Sequence, residues 1–474
     1  MNILNHLLAL PREKTPRLRR VASCGLVLGT ALLWSRGAAA EVMLFEKDGW
    51  HFAFDGRVNA FLSVGMGDDF PKPTPNPNTP GVSHTVMGSN KPPGTPDVGW
   101  KSAEVQDKEG KYFAMRVRSG MVGNVLGFAL TRDLTQTTSI KGYLAIWSTI
   151  ETLGRDKWAP VIPEAREGYF NVSGPWGSAT VGRTFGWFGR MSAEIDLLYG
   201  HGYGVGLPCT DELGPACGHI GTGVAYPGYS AGFSYSTPSL GGLQVHAGVY
   251  DPIVLVPEWK RAPILRPEGA VTFETELGAT GKLKLGVEAV YQPLARVAID
   301  PMTMGLSDES TAVWGVAGGG RVEVGPVRLG VSAYRGRGLG MSYALQNTSA
   351  SLNPETYELR LFSGVYGQAA LVFGKLLIGA GGGMAATDQL SSDRINPSLS
   401  VIHRQIGISA VLNYHVTDAV VLGLYYFRFM ARWYGAPAST LDPVTMEPVI
   451  TSTDVLAGEK QDLDFINAGV TYHW

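Results

Sequence analysis

Cysteine is almost missing from this chain, at three in 474 residues. That excludes a small domain stapled by a disulfide framework. Long apolar runs are missing too. The run "VASCGLVLGTALLW" (Val21–Trp34) is shorter than the about 20 residues that a membrane helix needs, and no later run is long enough. The nine histidines are scattered, no Ser/His/acid cluster stands out, and H-E-x-x-H does not occur. Catalysis needs a nucleophile, a base and an orienting group in one place, so the reading is not an enzyme, with no cofactor and no metal implied. A basic surplus is also absent. From Glu41 onward the chain carries 33 Lys+Arg against 40 Asp+Glu, a formal net charge of −7. Nucleic acid is disfavoured as a partner, because phosphate neutralisation requires a basic surface.

The N-terminus has three parts. A basic stretch, "PREKTPRLRR", precedes the apolar run, and the small residues "SRGAAA" precede Glu41. This is the layout of a secretory signal peptide over residues 1–40, leaving 41–474 as the mature region. Glycine is plentiful there, 62 in the whole chain, where the usual share is about 7%.

The mature region alternates. In "WHFAFDGRVNAF", Trp50, Phe52, Phe54 and Val58 share one face, and His51, Asp55, Arg57 and Asn59 the other. In "KLKLGVEAVY", Leu283, Leu285, Val287, Ala289 and Tyr291 interleave with Lys282, Lys284, Gly286 and Glu288. Period two marks half-buried strands. Turn residues separate them alternately by short turns, near 135, 175, 240, 281, 325, 374 and 418, and by long loops, near 88, 158, 205, 260, 301, 347, 394 and 448. Fifteen connections imply 16 strands. The expected fold is all-β, a 16-stranded antiparallel transmembrane barrel with short turns on one rim and long loops on the other. In hydrocarbon an unpaired backbone group costs several kcal/mol, so a sheet survives there only if it closes on itself. The apolar set then faces outer-membrane lipids and the interleaved set faces the lumen. The glycine-rich "GAGGGMAAT" and "GVAGGGRVE" alternate as strands, their small residues serving tight packing, with a subunit contact as one place for it.

"NAGVTYHW" closes the chain in mid-alternation, with Tyr472 and Trp474 at the level of an aromatic girdle. These two also resemble the terminal signal read by the barrel-assembly machinery. "REGYFNVSGPWGSATVGRTFGWFGR" (Arg166–Arg190), "HFAFDGRVNAFLSVG", "VLGFALTRDLTQ" and "AGFSYSTPSLGG" follow one another in the order and spacing of a known signature. Together they resemble the trimeric Gram-negative general-diffusion porins.

That resemblance implies a homotrimer in the outer membrane of a Gram-negative bacterium. Each barrel would pass small hydrophilic solutes and ions by passive diffusion, narrowed by a third loop, residues 184–228, folded into the lumen. Loop carboxylates would face basic residues across the constriction: Glu194 and Asp196 first, Asp211 and Glu212 second, opposite Arg57, Arg116 and Arg118. Val125 and Ala129 stand where the family often carries basic residues. Within the loop, Cys209 and Cys217 are an even pair in an exported chain and read as a disulfide; a metal site with His201 or His219 would need four convergent ligands. Trp187, Phe188, Tyr199 and Tyr203 suit loop packing or a sugar-binding strip. Two rival functions stay open: a substrate-selective channel, and a closed barrel for adhesion or anchoring.

Overall fold

The computed structural model describes residues 42–68, 83–84, 111–150, 163–200, 217–253, 264–299, 306–341, 352–353, 356–395, 399–435, 437–442, 444, 448–455, 458 and 460–474. The expected signal segment, Cys209, Asp211, Glu212 and Tyr203 lie outside the described residues.

Sixteen antiparallel strands close into a barrel. They are β1 (Trp50–Asp68), β2 in two pieces (Lys111–Arg118 and Asn124–Asp133), β3 (Ser139–Ser148), β4 (Glu164–Gly174) and β5 (Gly177–Phe185). There follow β6 (Tyr229–Ser236), β7 (Leu243–Tyr250), β8 (Arg266–Leu277), β9 (Gly281–Ile299), β10 (Leu306–Val324) and β11 (Val327–Arg337). The last five are β12 (Leu361–Phe373), β13 (Leu376–Thr387), β14 (Ile402–His415), β15 (Val420–Trp433) and β16 (Lys460–His473). Each strand pairs with the next, and β16 pairs back onto β1 from Arg57↔His473 to Gly67↔Leu463. That seam leaves the sheet without a long open edge.

Alternation explains both surfaces. Outward side chains include Val58, Leu62, Leu285, Val287, Val316, Val331, Leu424 and Ile466, all well exposed. The interleaved Arg57, Asn59, Ser63, Glu288, Arg321 and Ser332 point inward and are buried. Such an apolar belt around a closed barrel is a membrane-spanning architecture, and it belongs to the outer membrane of a Gram-negative bacterium. Tyr235, Tyr414 and Tyr472 mark its turn-side margin, and Tyr291 and Trp314 its loop-side margin.

Three details differ from the expectation. The loop expected near 301 is short, because β9 and β10 continue their pairing to Ile299↔Leu306. An additional strand, Val42–Lys47, forms a hairpin with the start of β1. Asp48 and Gly49 supply its two positive-φ turn residues (52° and 78°), the requirement of a two-residue hairpin turn. And β2 is broken: three residues of β1 separate Arg57 from Phe61, whereas six of β2 separate their partners Val125 and Arg118.

Candidate functional site

The segment after Phe185 turns into the barrel, and the chain re-enters the wall at Tyr229; residues 186–200 and 217–228 lie inside the barrel. Its path follows from where its backbone donors find acceptors. The N–H of Phe188 donates to Oε2 of Glu268 on β8 (3.0 Å). Those of Gly189 and Met191 donate to the two carboxylate oxygens of Glu288 on β9 (2.8 and 2.7 Å). These amides open a short helix, α1 (Arg190–Ile195), whose first N–H groups have no partner within the helix. Two wall carboxylates thus receive them from across the lumen. Glu268 is held in turn by Arg266 (2.8 Å).

The wall opposite is lined with glycine where the loop presses hardest. A Cβ on Gly286 would collide with Met191, one on Gly330 would sit 3.4 Å from Ile195, and one on Gly379 2.9 Å from Leu197. Gly379 belongs to "GAGGGMAAT", so at this position the stretch seats the loop. After a second short helix, α2 (Leu197–Gly200), the loop is described again from Cys217, which is disulfide-bonded. Trp187, Phe188 and Tyr199 are buried, Trp187 stacked on His246 at 3.9 Å. They pack against the wall and one another and present no open aromatic face.

The charged side chains are distributed differently from the expectation. Glu194 keeps 13% exposure and forms an ion pair with Lys284 on β9, not with Arg57, Arg116 or Arg118. Arg321 on β10 donates to the Glu194 carbonyl (3.4 Å) and pairs with Glu323 (3.2 Å). Asp196, expected on the acidic side of the lumen, is fully buried. Its Oδ1 lies 2.7 Å from Nδ1 of His219 and accepts the Leu198 N–H (2.9 Å), which makes it a carboxylate internal to the loop.

Arg57, Arg116 and Arg118 all project inward, as alternation requires. Arg57 donates to the carbonyls of Val122 and Gly123 (2.9 and 3.3 Å) and lies 5.0 Å from the Trp147 ring. Arg118 is buried and Arg116 half-buried above it. A further arginine, Arg190, stacks on Trp187 at 4.2 Å and donates to the carbonyls of Phe185 and Gly186. Alternation had placed Lys284 and Glu288 on the lumen side, but no local pattern announced that the loop would meet them.

One G-x-S-x-G spacing does occur, "GYSAG" at Gly228–Gly232. Ser230 heads strand β6 rather than a strand-to-helix turn, and its hydroxyl accepts from Arg266 (2.9 Å). A nucleophile elbow needs the strained turn and a neighbouring base. Among the described residues no three His, Cys, Asp or Glu side chains converge as metal ligands.

A closed 16-stranded barrel with an internal loop is the fold of the Gram-negative outer-membrane porins. The chain is similar in structure to the outer-membrane channel DcaP of Acinetobacter baumannii, at 13% identity over 91% of this chain and 100% of that one, TM-score 0.57. It is similar also to an anion-selective porin from Comamonas acidovorans, at 14% identity over 90% and 100%, TM-score 0.53. No family model and no curated protein matches the sequence. Likeness at this identity establishes the fold.

Proposed function

We propose that the protein is an outer-membrane channel admitting small hydrophilic solutes and ions by passive diffusion. The observation that carries this reading is the pair of loop segments 186–200 and 217–228 inside the barrel, where Arg190 and Glu194 are partly exposed among the described residues and Glu194 lies beside Lys284 and Arg321. A membrane barrel whose lumen holds fixed charges at its narrowest level selects by size and by close-range electrostatics. No covalent chemistry is invoked. The homotrimer implied by the sequence resemblance is part of the reading, as is a constriction bounded by Arg57, Arg116 and Arg118 on the wall away from Lys284.

One observation favours a substrate-selective version over a wide pore. Apart from Arg190 and Glu194, every residue from Phe185 to Tyr199 is buried, which leaves little of this stretch in contact with open solvent. Single-channel recording in a planar bilayer under a salt gradient tests both. Ohmic steps with a weak reversal potential support diffusion through an open pore. Small steps blocked by one class of solute support selectivity. No steps from folded protein would overturn the channel reading. Chemical crosslinking in detergent tests the trimer, and a ladder ending at the monomer would refute it.

A further inference from the structure

We infer that the constriction has two jaws, and that the second is the break in β2. This rests on the channel reading above. Residues 119–123, "SGMVG", do not bulge toward lipid; Ser119 and Val122 are 0% and 1% exposed. They loop inward, and the wiring is complete. Arg57 donates to the carbonyls of Val122 and Gly123. Asn59 donates through Nδ2 to the Gly123 carbonyl (2.7 Å) and accepts at Oδ1 from the Gly120 N–H (2.7 Å). Its own N–H donates to the side chain of Asn124 (2.8 Å). Gly123 closes the turn onto the Gly120 carbonyl (2.9 Å) at φ +59°, a conformation that favours glycine.

The tip reaches the other jaw. Met121 lies against Gly218, beside the disulfide-bonded Cys217, and a Cβ on Gly218 would collide with the Met121 sulfur. Val122 and Met121 join one apolar cluster with Ala193, Cys217 and Ile220 of the loop segment, Phe185 at the end of β5 and Trp147 of β3. The loop's opposite side rests on β9 to β13 through Met191, Ile195 and Leu197. Wall bulge and loop therefore span the lumen together from β2 to β9. A bulge re-aims side chains at barrel walls, and methionine is a flexible, polarizable filler. Met121 then fills the junction between the two jaws, and its bulk keeps that part of the lumen closed to solutes. Arg57 and Asn59 are positioning residues: they hold the jaw and act on solutes through it.

The test is single-channel conductance of full-length protein carrying Met121→Gly or Met121→Trp, with heat-modifiable electrophoretic mobility as the check on folding. Met121→Gly is expected to raise conductance at least about 1.5-fold and to admit larger neutral polymers, and Met121→Trp to lower both. Arg57→Ala should behave like Met121→Gly with added current noise, and Arg57→Lys should restore part of the wild-type trace. If wild type is silent and Met121→Gly conducts, the jaw closes the channel and the inference stands. If wild type conducts and all four variants keep its conductance and size limit, the second jaw is refuted while the channel reading survives. If neither wild type nor Met121→Gly conducts, both fall.

Discussion

Gly56 and Trp474 exchange both of their backbone hydrogen bonds, each at 3.1 Å, and the indole of Trp474 fills the space that a side chain on Gly56 would occupy. A Cβ there would stand 2.5 Å from the ring and 2.7 Å from the Val125 carbonyl. The seam between β1 and β16 therefore ends on a glycine–tryptophan contact. Gly56→Val forces the ring or the strand aside, and overpacking of this kind costs about 1–3 kcal/mol. The expected outcome is a lower folded fraction on refolding into detergent, read from the unboiled band in electrophoresis. An unchanged fraction would show that the ring moves freely.

The loop depends on Glu288. Its two oxygens accept from Gly189 and Met191, and charge-assisted bonds of this type are about twice as strong as neutral ones. Glu288→Gln keeps the volume, removes the charge, and turns an amide N–H₂ toward one of two backbone donors. The loss is expected at about 1–3 kcal/mol, confined to the loop. Hydrogen exchange over residues 186–199 should quicken while the barrel strands keep their protection. Equal exchange in both proteins would mean that the glycine trough alone seats the loop.

Much of this was legible from period two. Arg57 inward and Val58 outward, Lys284 inward and Leu285 outward, follow directly from it. Contacts across the lumen were not, since Glu194 and Lys284 are 90 residues apart and no local pattern couples them. The wall bulge has a signal in the residue pattern. Inward positions are even-numbered through Arg118 and odd-numbered from Val125. Such a parity switch within one strand requires an odd number of extra residues. The burial of Asp196 has a different origin: a short loop helix fixes side-chain direction by its packing, not by strand alternation. Tyr472 and Trp474 lie on the seam, and replacing Trp474 by the non-aromatic Leu tests whether the assembly machinery reads an aromatic there: assembly should fall, and an unchanged yield in the outer membrane would count against that role.

Arg360 and Asp393 form a buried ion pair outside the strands, both without exposed side-chain surface. The guanidinium donates to both carboxylate oxygens (2.9 and 2.6 Å), and Asn353 and the Leu390 N–H donate as well. Burial alone would raise this carboxyl, but the bonds from Arg360 outweigh it and hold Asp393 below the usual carboxylate range. A depressed folded-state pKa stabilises at pH above the unfolded value, about 3.9. That contribution is lost as pH falls through the folded-state value. The connection between β13 and β14 should therefore resist protease at neutral pH and through mild acid, and yield only in stronger acid. Asp393→Asn strands a buried guanidinium, at a cost of about 3–5 kcal/mol, so its loop should be cut readily at pH 7. Resistance equal to wild type would contradict the pairing.

Ion selectivity separates the two loop carboxylates. Glu194 is partly exposed and paired with Lys284, whereas Asp196 is enclosed by His219 and the Leu198 amide. Glu194→Gln leaves the lysine charge uncompensated at the narrow level and should move the reversal potential toward anions. Lys284→Gln should move it toward cations by a similar amount. Asp196→Asn should leave the reversal potential in place and raise current noise, because it loosens the loop without changing charge at the water-filled surface. The first two shifts should shrink as salt rises from 0.1 M toward 1 M, where the screening length falls from about 10 Å to about 3 Å. A reversal potential that responds to Asp196→Asn and ignores Glu194→Gln would invert the assignment and place Asp196 on the solute path.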